Sequence, residues 1–248
     1  MQTTQRKTWR DRMAGHRFAV LLCVLILLML ASPIAKAMRT PALFSRLVIL
    51  SCVIFMLIAA LFAISRSRRQ LIVAGILSVP TLLLQVVDVF HEHPHLRGWA
   101  HVLMIIFLGY VVIMIIKALF QQRRITGDML CASICGYLLI GICWAFVYSL
   151  VDLVQPGSFM IAEAHQDIVA SLNVTGEHAG FAVYYSFITL STLGYGDVFP
   201  VLAVARVCSY SEAAFGQIYL AVLVARLVGL HISQTLVANR DELRDGRG

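Results

Sequence analysis

Long uninterrupted apolar runs restrict this chain more than any other feature. A helix needs roughly 20 apolar residues to cross a hydrocarbon core of about 30 Å. Six segments meet or nearly meet that length: 18–35, 44–64, 71–90, 98–119, 128–153 and 200–230. Lipid offers no partner to a backbone N–H or C=O, so runs of this kind fold as helices that satisfy their own groups. The chain is 60% hydrophobic and 13% charged, with mean hydropathy +0.84, whereas a soluble domain is about a quarter charged. The formal net charge of +7 would suit a nucleic-acid binder in a soluble chain. Here the cations fall in the gaps between apolar runs, so no nucleic-acid partner is expected. The spacing predicts an all-α membrane protein of six transmembrane helices, in contact with lipid. Cys23, Cys52, Cys131, Cys135, Cys143 and Cys208 all lie in apolar stretches and are expected to pack as small hydrophobes.

Lysine and arginine placement sets the orientation. With the amino terminus inside, cytoplasmic stretches hold Arg6, Lys7, Arg10, Arg12, Arg17, Arg66, Arg68, Arg69, Lys117, Arg123, Arg124, Arg226, Arg240, Arg244 and Arg247. The opposite side keeps Lys36, Arg39, Arg46, Arg97 and Arg206. Fifteen against five predicts both termini in the cytoplasm, in an inner or plasma membrane. Residues 1–17 form a cytoplasmic segment, 18–119 a peripheral four-helix domain and 231–248 a short cytoplasmic tail. The first run ends Ala35-Lys36-Ala37, which is similar to a signal-peptidase site, yet the long basic leader favours an anchor that stays in place.

Between the fifth and sixth runs the pattern changes. Residues 154–180 are polar, and Phe181–Leu190 is apolar but too short to cross. A short apolar helix followed by a glycine-bearing loop reads as a re-entrant element, because irregular backbone survives at membrane depth only where protein or water satisfies it. The loop is Ser191-Thr192-Leu193-Gly194-Tyr195-Gly196-Asp197. Gly194 and Gly196 allow the alternating backbone conformations that aim successive carbonyls the same way, which L-residues resist. Fourfold repetition of such a loop replaces the water oxygens around a cation with carbonyl rings. Thr192 would add a hydroxyl ring at the inner end, Tyr195 would wedge the loop outward, and Asp197 would stand above the outer mouth.

These residues resemble the pore of bacterial potassium channel subunits that carry one pore loop per chain, over about residues 128–230. The resemblance implies a homotetramer, with K+ held at Thr192, Leu193, Gly194 and Tyr195 as permeant ion and no further cofactor. It implies that Tyr184 and Tyr185 support the pore helix, that Gly216 is a gating hinge, and that Phe199 belongs to an aromatic ring set at the mouth that binds external tetraethylammonium. Two positions depart from the pattern: Leu193 stands where Val or Ile is usual, and Ile188 stands where some bacterial channels have a Glu bonded to the filter aspartate. Asp197 therefore needs another partner, the hydroxyl of Tyr184 or of Tyr185. The implied function is passive potassium conduction, without catalysis. The alternatives are a non-selective cation channel and a subunit of a potassium transporter, although transporters of that kind carry four degenerate loops per chain.

Glu212 lies mid-membrane, one turn before Gly216. A carboxylate there either bonds the short helix or lines the central cavity, and a structural role is expected. No Lys or Arg occurs from Ile125 to Ala205, while Asp152, Glu163, Asp167, Glu177 and Asp197 do, which gives a cation-attracting outer face. His91, Glu92, His93 and His95, with His101 nearby, form a cluster that suits a wet interfacial loop better than a metal site.

Six helices invite comparison with voltage-gated channels, whose fourth helix carries Arg or Lys at every third position. Moving one charge across 100 mV is worth about 2.3 kcal/mol, so steep gating takes several charges per subunit. The fourth run here has Arg97 and Lys117 at its two ends and no Lys or Arg between them. Open probability from −100 to +100 mV is therefore expected to change only weakly in single-channel recordings. A steep sigmoidal activation curve would refute this.

Overall fold

A computed structural model describes residues 17–37, 42–64, 68–90, 93–122, 125–162 and 179–245. Each apolar run becomes one helix: α1 (Arg17–Ala37), α2 (Ala42–Ile64), α3 (Arg68–Phe90), α4 (Pro94–Gln121), α5 (Gly127–Val154) and α7 (Ala203–Asp245), with the short α6 (Ala179–Leu190) before the last. By length and composition α3, α4, α5 and α7 are able to cross a membrane. The described side chains of α1 and α2 give apolar stretches at Arg17–Leu30 and Leu50–Ala63.

Local chemistry places the helix ends. Pro94 occupies the first turn of α4, where its missing N–H costs nothing. Thr126 caps α5 by accepting from Met129 N at 3.2 Å, and Asp128 sits in the first turn, where the helix dipole favours a carboxylate. The same Asp128 accepts from Phe18 N at 3.3 Å, which ties the start of α1 to the start of α5. At the other face of the molecule Arg97 Nε of α4 meets Asp88 Oδ1 of α3 at 3.3 Å.

Two cores hold the helices together. Leu21 and Leu25 of α1, Met56 of α2, Met104 and Phe107 of α4 and Leu139 of α5 belong to the larger. Ala145 and Tyr148 of α5, Phe181 and Tyr185 of α6 and Val198 form the smaller. Small residues let the helices close up. A Cβ at Gly141 of α5 would stand 2.8 Å from two ring atoms of Phe187, and one at Gly136 would stand 2.5 Å from the Tyr219 hydroxyl oxygen.

Two features add to the sequence expectation. The molecule is mostly helical, and within it β1 (Phe159–Ile161) pairs antiparallel with β2 (Val198–Pro200), Met160 facing Phe199. A three-residue ladder leaves no periodicity to read, and it forms because the segment after α5 meets the segment leaving the glycine loop. The last helix also runs without a break through Asp245, so residues 231–245 of the expected tail are helical. Polar residues such as Gln234, Asn239 and Glu242 end an apolar run without ending a helix.

Gly141→Ala measures the α5–α6 contact. Overpacking costs typically about 1–3 kcal/mol, more than the roughly 0.5–1 kcal/mol that alanine gains over glycine in a helix. The apparent unfolding temperature in mild detergent is expected to fall by about 2–4 °C. Gly75→Ala, where a Cβ meets nothing within 4 Å, is expected to leave it unchanged or raised.

Candidate functional site

The candidate site begins where α6 ends. A helix C-terminus leaves carbonyls without intrahelical partners, and here the following loop takes them. Ser191 N donates to Phe187 O at 3.1 Å, Thr192 N to Thr189 O at 2.9 Å, and Leu193 N and Gly194 N both to Ile188 O at 2.8 and 3.1 Å. The first four N–H groups of the loop are thus spent on the helix it leaves. Among the described residues no N–H donates to the carbonyls of Thr192, Leu193, Gly194 or Tyr195.

The backbone alternates along this stretch. Thr192, Gly194 and Gly196 have φ of +58°, +52° and +77°, while Leu193 and Tyr195 between them keep negative φ. Positive φ at alternate positions is a backbone pattern able to turn successive carbonyls toward one side. Glycine does this at little cost, and threonine at about 1–2 kcal/mol, so Thr192 is the strained position. The side chains of residues 191–196 stand exposed on the single chain.

The far end of the loop is fixed by Asp197. Its Oδ2 accepts from the Tyr184 hydroxyl at 2.5 Å, its Oδ1 from Val198 N at 3.0 Å, and its carbonyl from Ala162 N at 2.8 Å. The carboxylate therefore joins α6, the loop and the strand pair. Of the two candidate hydroxyls Tyr184 is the partner of Asp197, while Tyr185 reaches Ser209 of α7 at 2.7 Å. Tyr185 also stacks with Tyr148 and Phe159 at centroid distances of 4.9 and 5.2 Å, two near-perpendicular contacts. Phe199 lies on β2, exposed. Arg206 Nε donates to Pro200 O at 3.2 Å.

A second set of bonds holds α6 to α7. Glu212 is completely buried and accepts from Ser186 of α6 and Tyr148 of α5, each at 2.5 Å. Ser186 Oγ also lies 2.7 Å from Gly141 O. One carboxylate thereby joins α5, α6 and α7. One turn on, a Cβ at Gly216 would sit 2.5 Å from the carbonyl oxygen of Leu190. The close approach of α7 to the end of α6 by itself requires glycine there.

Sequence reasoning missed Tyr148, Ser186, Ser209 and Gln217, whose Nε2 lies 3.5 Å from Thr192 Oγ1. A buried carboxylate needs donors, so hydroxyls on the neighbouring apolar segments were the available signal for the first two. Of the outer carboxylates Asp152 is buried, while Glu163, Asp167 and Glu177 lie outside the described residues. So do His91 and Glu92. His93 is the N-cap of α4, His95 is exposed, and His101 packs its ring 5.5 Å from that of Phe146. Among the described residues no group of three or more His, Cys, Asp or Glu is placed to hold a metal ion.

Residues 138–231 match the Ion_trans_2 family model, described as an ion channel. The matched stretch opens within α5, includes α6 and the glycine loop, and closes within α7, so this part of the molecule is an ion-channel domain in a multi-pass membrane protein. No curated protein and no solved structure matches the chain.

The three-helix junction at Glu212 is open to a double-mutant cycle. Glu212→Ala leaves the buried Tyr148 hydroxyl without its acceptor, at a cost of about 1–3 kcal/mol, while Glu212→Gln keeps an acceptor and is expected to lose less. Adding Tyr148→Phe to Glu212→Ala is expected to cost much less than Tyr148→Phe in the wild type, a coupling of about 0.5–3 kcal/mol, read from unfolding in detergent. Additive losses would mean that the two side chains do not act as a pair.

Proposed function

We propose that the chain is one subunit of a homotetrameric potassium-selective channel that conducts K+ passively across the plasma membrane. In this reading six helices cross the bilayer, both termini face the cytoplasm, and α6 with its loop enters from outside. The observation that carries it is the alternation of positive φ at Thr192, Gly194 and Gly196 in a loop whose Thr192, Leu193, Gly194 and Tyr195 carbonyls receive no N–H among the described residues. A backbone of this kind offers a column of oxygens from Thr192, Leu193, Gly194 and Tyr195. One chain supplies one loop, and a closed ring needs four, so fourfold symmetry follows from the coordination. The α6 dipole adds negative character at its C-terminal end, facing the central cavity. Asp197 and Phe199 belong to the outer mouth, Tyr184 and Tyr185 support the pore helix from behind, and Glu212 is a structural carboxylate. Gly216 remains the proposed hinge, and its contact with Leu190 ties any bend there to the end of α6. α4 carries no ladder of cations, so the reading includes a channel that voltage does not gate.

Purified protein in a planar bilayer tests this. In mixed potassium and sodium the reversal potential is expected to follow the potassium gradient, about 59 mV per tenfold for a monovalent ion, and Tyr195→Asp is expected to bring it toward zero. Equal passage of sodium by the wild type would favour the non-selective cation pore, and cross-linking that stops at dimers would refute the fourfold ring.

A further inference from the structure

A groove of about 510 Å³ runs between α4, α5 and α7, outside the ion-channel loop and its supports. Gly109 and Ile116 of α4, Trp144 of α5, and Phe215 and Val222 of α7 line it, and Arg226 closes one end. Apart from Arg226 the lining is apolar but for the Trp144 indole, the Cys143 thiol and Tyr219, whose hydroxyl is already bonded to Ser133 O at 2.7 Å. From Phe215 to Arg226 the groove extends about 16 Å at 1.5 Å per helical residue, close to half of a hydrocarbon core of about 30 Å. It is one leaflet deep.

The arginine at its end is incompletely used. The Arg226 guanidinium lies over the Phe120 ring, 4.8 Å from the centroid, and one of its terminal nitrogens donates to Gln122 O at 2.7 Å. Its Nε is buried without a hydrogen-bond partner, and among the described residues no carboxylate pairs with it. Exposed Lys117 stands three residues from Phe120 on α4, a neighbour on the helix surface, so a second cation borders the same end. A channel that is apolar for one leaflet and cationic at its tip matches a single amphiphile: an acyl chain with an anionic head.

We propose that this groove binds an anionic phospholipid, one acyl chain lying against Trp144 and the phosphate on Arg226. The terminal nitrogens of a planar guanidinium, of which one N–H goes to Gln122 O, suit phosphate oxygens, and lipid phosphates lie at the depth where a helix leaves the hydrocarbon. A zwitterionic lipid fills the apolar length equally well but brings its own cation to a cationic end. The site stands independently of ion selectivity, since its evidence lies outside the loop.

Trp144 makes the test direct, because brominated acyl chains quench an indole they touch. The full-length chain with Trp9→Phe and Trp99→Phe retains Trp144 alone. It is reconstituted in phosphatidylcholine vesicles with rising fractions of brominated-chain phosphatidylglycerol or, separately, brominated-chain phosphatidylcholine. Half-quenching is expected at an about fivefold lower fraction of the anionic lipid, the scale of one cation at a membrane surface. Arg226→Gln is expected to remove this preference while quenching persists, and Arg226→Lys to keep most of it. Equal half-quenching fractions in the starting protein would overturn the proposal without recourse to any Arg226 variant. So would failure of both brominated lipids to quench Trp144, the outcome expected if a second copy of the chain covers the groove.

Discussion

The glycine loop is organised around one constraint: irregular backbone among apolar helices has to be satisfied by protein, because an apolar surround satisfies nothing. Residues 191–197 meet it asymmetrically. The N–H groups of residues 191–194 turn back onto the last carbonyls of α6, and Asp197 is anchored to Tyr184, Val198 and Ala162. The carbonyls between those anchors are left over. A loop that bonded both its donors and its acceptors internally would be a stable turn with nothing to offer an ion. Sending the donors to the helix end frees the acceptors, and the left-handed residues at alternate positions decide where they aim.

That arrangement needs α6 to be immobile, and α6 has only 12 residues, a length at which an isolated helix is marginal. Its rigidity comes from side contacts. Tyr184 is tied to Asp197, Tyr185 to Ser209, and Ser186 to Glu212 and Gly141 O, so three successive residues bond to three different elements. Successive residues point about 100° apart around a helix, which is why one short stretch holds α6 from several sides at once. Gly141 and Gly216 let α5 and α7 come near enough for those bonds to close.

Apolar length and turn chemistry were legible in the sequence; side-chain partnerships were not. The helices matched the runs to within a few residues at their starts, since hydropathy measures the property that makes a membrane helix. Gly194 and Gly196 were legible for the same reason, as left-handed φ leaves a direct mark on residue type. Thr192 also takes left-handed φ, and its β-branched side chain gives no warning of it. Asp197 narrowed its own partner to two tyrosines, but α6's rotation about its axis chose between them, and rotation is a property of packing. The β1–β2 pair was hidden because neither three-residue strand carries a pattern. The choice of Tyr148 for Glu212, across 64 residues of chain, depends on which face α5 turns toward α7.

α5 connects the two parts of the molecule, and it does so along its length. Its first half, from Met129 to Ile142, lies in the core shared with α1, α2 and α4, whereas Ala145 and Tyr148 belong to the core around α6. One turn separates Ile142 from Ala145, and Gly141, against Phe187 of α6, lies beside that boundary. A rigid helix passes a tilt from one end to the other, while packed cores resist gradual deformation and settle into discrete arrangements. Any displacement of α1–α4 that reaches the loop through α5 therefore has to move Tyr148, and with it the carboxylate of Glu212 that α6 and α7 share. Among the described residues α5 is the one helix with buried members in both cores, so packing along it links the peripheral helices to the ion-channel domain.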